Sequence, residues 1–291
     1  MQSIVNKVCK WYVRLSNQLK DSVNISFIIT GVTSSLFTIL GISLAILEKL
    51  TFWQRFGLVI SAFVIICAAI YLVLGVVFKS SITISIRGMS ISICRGNIFE
   101  CSGLKIIGCD THFYTQVDDV VISKKSLHGQ LVTEHGKKDE IDNIVRIEAQ
   151  RLGLKINDNG TYNFPLGTII CYNSTVDNNK YLMLALTELD DCNRAHTDSV
   201  TYESTLIKMW EEIDRVYASN DVVLPLLGTG ITRFRDGRKK DEAALRCMLC
   251  TLNNSGITLN SKIKILINSK NNDIALYEYK KLFPEASYGG L

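Results

Sequence analysis

Two long runs without a single charged residue constrain this chain more than any other feature. Ile25–Leu47 and Phe56–Phe78 are each 23 residues long and contain no Asp, Glu, Lys or Arg. As a helix, such a run spans about 34 Å, against about 30 Å for the hydrocarbon core of a bilayer. Lipid offers no partner to a bare peptide group, so a spanning segment of this kind must be helical. The link Glu48–Arg55 is short, and its Phe52 and Trp53 suit the headgroup layer. The pair predicts a transmembrane hairpin over residues 25–78. Two buried helices of a soluble core would give the same pattern. A cleaved signal peptide fits less well, because the first run starts late, is too long and lacks a small-residue cleavage site.

Charge around the runs sets an orientation. Lys7, Lys10, Arg14 and Lys20 precede them and Lys79 and Arg87 follow, while the link holds Lys49 and Arg55. The positive-inside bias places both termini in the cytoplasm of a multi-pass protein of the cell membrane. Residues 1–24 read as a basic amphipathic leader helix, with Ile4, Val8, Tyr12, Leu15 and Leu19 at helical spacing. It suits an anionic inner leaflet or a neighbouring subunit. Small residues such as Gly31, Ser34, Gly41 and Ala45 permit close helix approach. With no charge inside either run, an ion-selective pore has no direct support.

The remainder is cysteine-rich but shows no disulfide framework. Nine cysteines are scattered and odd in number, and Cys67 lies inside an apolar run, which fits reduced thiols. Cys247 and Cys250 form the one C-x-x-C spacing, with no second pair to complete a zinc site. A net charge of +4 offers no electrostatic case for nucleic acid.

From Ser80 the pattern becomes that of an α/β domain. Ile82, Ile84 and Ile86 alternate with polar residues, as do Met89, Ile91 and Ile93 after Arg87-Gly88, which predicts a β-hairpin. Further apolar runs are Leu104–Cys109, Val120–Ser123, Gly167–Tyr172, Tyr181–Thr187, Val222–Leu226 and Ile263–Ile267. Helical stripes lie over Lys138–Leu152, Ser199–Tyr217, Asp241–Leu252 and Asp273–Phe283. Strands alternating with helices predict a mixed central sheet with helices on both faces, over residues 79–291.

Ligands of such sheets favour the carboxyl ends of strands. After the Val222 run comes Pro225-Leu226-Leu227-Gly228-Thr229-Gly230-Ile231-Thr232-Arg233-Phe234. A Gly-x-Gly turn between a strand and a helix groups backbone N–H donors where phosphate can approach. A plain tight turn would use the same glycines. Arg233 or Phe234 is expected to line the pocket, and Arg238, Lys239 and Lys240 are expected at the surface. The stretches Arg95–Phe99 and Asp110–Thr115 add amide and carboxylate groups and aromatic faces. The combination fits a nucleotide diphosphate. His128 faces such a ligand or is an ordinary polar helix position, and His112 and Asp190-Asp191 read as loop residues.

The segments GNIF, LKIIGCDTHF, SLHGQ, YLMLALTELDDCNRA and VVLPLLGTGITRF resemble a macro domain. The similarity is greatest to the cytoplasmic domain of membrane-anchored effectors of type II Thoeris anti-phage systems, and it runs from about Ser80 to the end. The preceding hairpin matches that architecture. The resemblance implies a macro-like α/β fold that binds an ADP-ribose-derived signal, an ADP-ribose–amino-acid conjugate such as histidine-ADP-ribose, made by a partner TIR-domain enzyme. It implies homo-oligomerisation, disruption of the bacterial inner membrane and abortive infection, with the nucleotide as ligand and no cofactor or metal. Gly96, Asn97 and Ile98, with Phe99 beside them, match the adenine motif, with Asn97 in place of its acid. Asp110, Thr111 and Phe113 match the loop near the distal ribose. Leu227, Gly228, Thr229, Gly230 and Ile231 match the diphosphate loop, followed by Thr232. Ser126–Gln130 stands where hydrolytic macro domains carry an Asn-rich, triple-Gly segment. That difference favours a sensor over an enzyme; a membrane-tethered ADP-ribosyl hydrolase and a passive membrane scaffold are the alternatives.

Overall fold

A computed structural model describes residues 17–39, 51–77, 81–157, 160–230, 232–235, 237, 241–267 and 276. They fall into two compact units, one holding the N-terminal helices up to Ile82 with Leu276, the other holding residues 83–267.

The first unit contains α1 (Asn17–Ile39) and α2 (Phe52–Val77). Their antiparallel packing shows in two contacts: the Phe27 and Phe63 rings lie 4.7 Å apart, and the Gln18 amide donates to the Tyr71 carbonyl at 2.7 Å. Every fourth residue of α1 is polar. Ser22 and Ser26 are fully buried, and their hydroxyls donate to the carbonyls of Gln18 and Ser22 at 2.8 and 2.7 Å. That back-bonding lets hydroxyls sit in an apolar seam without an orphaned donor. Among the described residues one helix is long and apolar enough to cross a membrane, the segment Phe52–Val76 of α2. Residues 25–39 of the expected first span are helical within α1, which also includes Lys20 and Asp21 before it. Residues 40–47 of that span, the leader over 1–16 and Glu48–Leu50 of the link lie outside the described residues.

The second unit is built on one sheet in the order β1-β2-β9-β7-β3-β5-β6-β8, with β4 also on β5. The hairpin joins β1 (Ser81–Ile86) to β2 (Met89–Arg95) through Arg87 and Gly88, whose φ values of 51° and 81° suit a tight primed turn. A parallel core follows: β2 beside β9 (Ile263–Ile267), β9 beside β7 (Val222–Pro225), β7 beside β3 (Leu104–Asp110) and β3 beside β5 (Lys180–Leu189). β5 has seven consecutive buried residues, as befits a strand covered on both faces. Along one edge of β5, β4 (Ile169–Asn173) and then β6 (Ala195–Thr197) pair antiparallel, and β8 (Arg233–Phe234) adds parallel to β6.

Helices cover both faces. Ile141, Val145 and Ala149 of α4 (Lys138–Arg151) pack with Ile107, Tyr181, Met183 and Ala185. Strand alternation turns Ile106, Leu182 and Leu184 to the other side. There α5 (Ser199–Val216) packs on β4 and β5, and α6 (Asp241–Asn254) packs on α5. The Trp210 indole N–H donates to the Thr251 hydroxyl across that helix pair at 3.2 Å. Between β3 and α4, α3 (Leu127–Gln130) continues into a π-helical turn, Leu131–His135.

The apolar run Val120–Ser123 is not a strand. The Asp118 carboxylate accepts the N–H groups of Val120 and Val121 at 2.9 and 2.8 Å, and Asp119 takes φ 64°. These side-chain bonds replace a ladder with a turn. The helix expected over Asp273–Phe283 lies outside the described residues except for Leu276.

Candidate functional site

The carboxyl ends of β2, β3, β5 and β7 meet around a cleft of about 820 Å³ in the α/β unit. One wall is the turn after β7. Leu226 donates its N–H to the Leu266 carbonyl at 2.9 Å. The Thr229 hydroxyl bonds back to the Leu226 carbonyl at 3.0 Å, and the buried Tyr202 hydroxyl donates to the Leu227 carbonyl at 2.9 Å. The two glycines do different work. Gly228 has φ 74°, and a Cβ there would lie 2.9 Å from the Tyr202 ring. Gly230 is exposed, and a Cβ there would meet nothing within 4 Å. The first glycine shapes the turn; the second leaves open space beside it.

A second wall comes from β2. Asn97 caps a 3₁₀ turn (Ile98–Glu100), accepting the Phe99 N–H at 3.2 Å and donating to Glu100 at 3.1 Å. Its side chain is thus partly committed to its own turn. Phe99 turns from the cleft and stacks on His135 at 3.9 Å. Lys105, 1% exposed, donates to the Phe99 carbonyl at 3.2 Å from beneath; burial lowers its ammonium below the usual range, with Asp177 acting in the opposite sense.

A third wall pairs Asp110 with His128. Asp110 Oδ1 accepts the His112 N–H at 2.8 Å, and Oδ2 lies 3.9 Å from His128 Nδ1. Both side chains are buried. Burial holds the His128 imidazole below its usual value while Asp110 pulls the other way, so the ring is neutral at pH 7. His128 Nε2 is buried without a hydrogen-bond partner. The backbone around it is tightly set: the Ser126 hydroxyl accepts the Gly129 N–H at 2.9 Å, and a Cβ on Gly129 would collide with the Ser123 carbonyl. Cys109 also lines the cleft, but burial first and Asp110 second push its thiol well up, away from a reactive thiolate.

The cleft therefore brings together Gly96, Asn97, Ile98, Asp110, His128, Leu227, Gly228, Thr229, Gly230 and Thr232. Other expected residues stand elsewhere. Thr111 is buried, its N–H donating to the Thr187 carbonyl at 3.0 Å. Phe113 is in the core, edge-on to Phe164 at 5.0 Å. Arg233 pairs in register with His196, and Phe234 packs on Tyr202 at 5.3 Å. Phe99 sits behind the turn, and Ile231 lies outside the described residues. Sequence reasoning missed Val121, Ser123 and Lys125 before α3, Thr187 near the end of β5 and Ala195 at the start of β6. No local motif marks them, because sheet order alone brings them to the cleft. Among the described residues no group of three or more His, Cys, Asp or Glu is placed to hold a metal.

A turn of free backbone donors flanked by amide, carboxylate and imidazole groups can hold a phosphorylated sugar. A family model described as "Thoeris protein ThsA, Macro domain" matches residues 91–268. Thoeris protein ThsA of Bacillus amyloliquefaciens (strain Y2) is 30% identical over 210 residues, 70% of each chain. Among solved structures, an Oceanobacillus iheyensis macrodomain with ADP superposes with a TM-score of 0.48 at 14% identity, over 71% of this chain and 97% of that one. A Trypanosoma brucei macrodomain in complex with ADP-ribose gives 0.40 at 10%, over 66% and 68%. The two sequence matches decide the assignment: this chain belongs to the Thoeris ThsA macro-domain family.

Proposed function

We propose that the cleft is a receptor for an ADP-ribose-derived signal in anti-phage defence. The observation that carries this reading is the turn after β7. Gly228 and Tyr202 set its conformation, and Gly230 leaves the approach to its backbone open, in a chain of the Thoeris ThsA macro-domain family. Titration calorimetry of the full-length protein in detergent with ADP-ribose tests it; absence of heat at millimolar ligand would reject it.

The signal is an ADP-ribose–amino-acid conjugate supplied by a partner TIR-domain enzyme. The protein sits in the bacterial inner membrane as a multi-pass homo-oligomer with both termini in the cytoplasm. The exposed apolar surface of α2 supports the anchor, with Phe52 and Trp53, 71% and 76% exposed, at one end of the apolar segment. Binding shifts the equilibrium toward an assembled state that breaches the bilayer, which requires tighter binding to that state. Dye release from liposomes should depend on both ligand and protein; leakage that ignores ligand would remove the link.

A hydrolytic reading draws on one observation, the buried Asp110–His128 pair in the cleft. Prolonged incubation with an ADP-ribose ester decides it, since a pure sensor leaves the ester intact.

A further inference from the structure

We propose that Lys125 supplies the counter-charge for the diphosphate of the bound nucleotide. The inference rests on the nucleotide reading above and adds to it the residue that neutralises the ligand. A diphosphate brings at least two negative charges. The turn over Leu226–Gly230 offers only uncharged donors, and Asp110 adds an acidic group to the same cleft. Of the described residues lining the cleft, the acidic and basic ones are Asp110, Lys125 and the neutral His128. Among the described residues Lys125 is thus the cation there.

Its backbone is held in place, and its side chain makes no hydrogen bond or ion pair with a described residue. The Lys125 N–H donates to the Ser123 hydroxyl at 3.3 Å, and its carbonyl accepts the Gln130 amide at 3.1 Å. The Lys124 N–H before it donates to Asp119 at 2.8 Å, and Ile122 is buried beneath. The ammonium has no ion pair with a described residue. A lysine on a fixed stem in the lining of the cleft, without an ion pair to a described residue, gains charge-assisted bonds when an anion enters. Arg233 is the alternative that sequence proximity suggests. It stands on β8 across from His196 and is not part of the cleft lining. The segment bearing Lys125 also carries His128, whose Nε2 is buried without a hydrogen-bond partner among the described residues and offers a ligand a polar contact on the same wall.

Calorimetry on the full-length protein in detergent, with ADP-ribose and ADP as probes at two salt concentrations, tests the assignment. Loss of one charge-assisted contact weakens binding about ten- to a hundredfold. Lys125→Met should show that loss for both ligands and flatten the salt dependence, while Lys125→Arg keeps most of the affinity. Lys180→Met, removing the same charge at the start of β5, should stay within about twofold of wild type. Lys125 is exposed, so an unchanged melting temperature is expected for both Lys125 variants. Wild-type affinity in Lys125→Met, or a loss seen in Arg233→Met instead, overturns the proposal. A wild-type protein that binds neither ADP-ribose nor ADP overturns the nucleotide reading itself, and this inference with it.

Discussion

The Tyr202 hydroxyl, buried on α5, donates to the Leu227 carbonyl at 2.9 Å, tying the turn after β7 to the helix beneath it. Burial raises the Tyr202 phenol well above its usual value, so it remains a donor across the accessible pH range. Tyr202→Phe leaves that carbonyl without its donor. Chemical denaturation should show a loss of about 1–3 kcal/mol, and ADP-ribose affinity should fall with it, because the turn loses its anchor. Unchanged stability and affinity would show that the turn holds itself.

The two glycines separate folding from binding. Gly228→Ala meets both a positive φ and the Tyr202 ring at 2.9 Å, so a destabilisation of about 1–3 kcal/mol is expected. At Gly230 a Cβ has open space, and Gly230→Ala should shift stability by no more than about 0.5 kcal/mol. Gly230→Trp should keep the melting temperature and abolish ligand heat. A Gly230→Trp protein that binds normally would place the ligand elsewhere.

His128 makes stability depend on pH. Its folded-state pKa is depressed by burial, with Asp110 opposing, so the unfolded chain takes up the proton more readily. The contribution is complete above the ordinary imidazole pKa of about 6.5 and is lost as pH falls from there through the depressed value. The informative quantity is the difference between wild type and His128→Gln. Denaturation between pH 5 and 8 should give a shallower slope for the variant; parallel slopes would show His128 to be uncoupled from folding.

Asp177 acts behind the cleft. Partial burial raises its carboxyl, but hydrogen bonds from Tyr181, Asn179 and His135 prevail and hold it below the carboxylate range. The Tyr181 and His135 contacts measure 2.5 and 3.1 Å. That stabilisation is present above the usual carboxylate pKa and disappears as pH falls through the depressed value. Because His135 also stacks on Phe99, Asp177→Asn should both reduce the acid dependence of stability and weaken ADP binding several-fold. An effect on acid stability alone would mean that the stack does not position the Asn97 turn.

Much of the α/β unit was legible residue by residue. Alternation over Ile82–Ile86 and Met89–Ile93 marked β1 and β2, and the stripe over Lys138–Leu152 marked α4 almost to the residue. Gly228 and Gly230 announced the turn after β7, although the short strand β8 and not a helix comes next. β6 and β8 escaped because three and two residues are too few to display a period. Val120–Ser123 misled because hydrophobic run length counts apolar residues and ignores the Asp118 and Asp119 side chains that bend the backbone. The pairing of Asp110 with His128 had no signature, since the two are joined only by a loop of irregular path.

Sequence alone determined where the chain is apolar enough for lipid, where it alternates, and where a glycine turn must expose its peptide groups, because each of these depends on neighbours along the chain. Tertiary structure alone decided which strand ends lie side by side, that Lys125 rather than Arg233 lines the cleft, and that His128 is left with a buried nitrogen unpaired. Those outcomes follow from strand order and from the burial it imposes, and neither is encoded in any single segment.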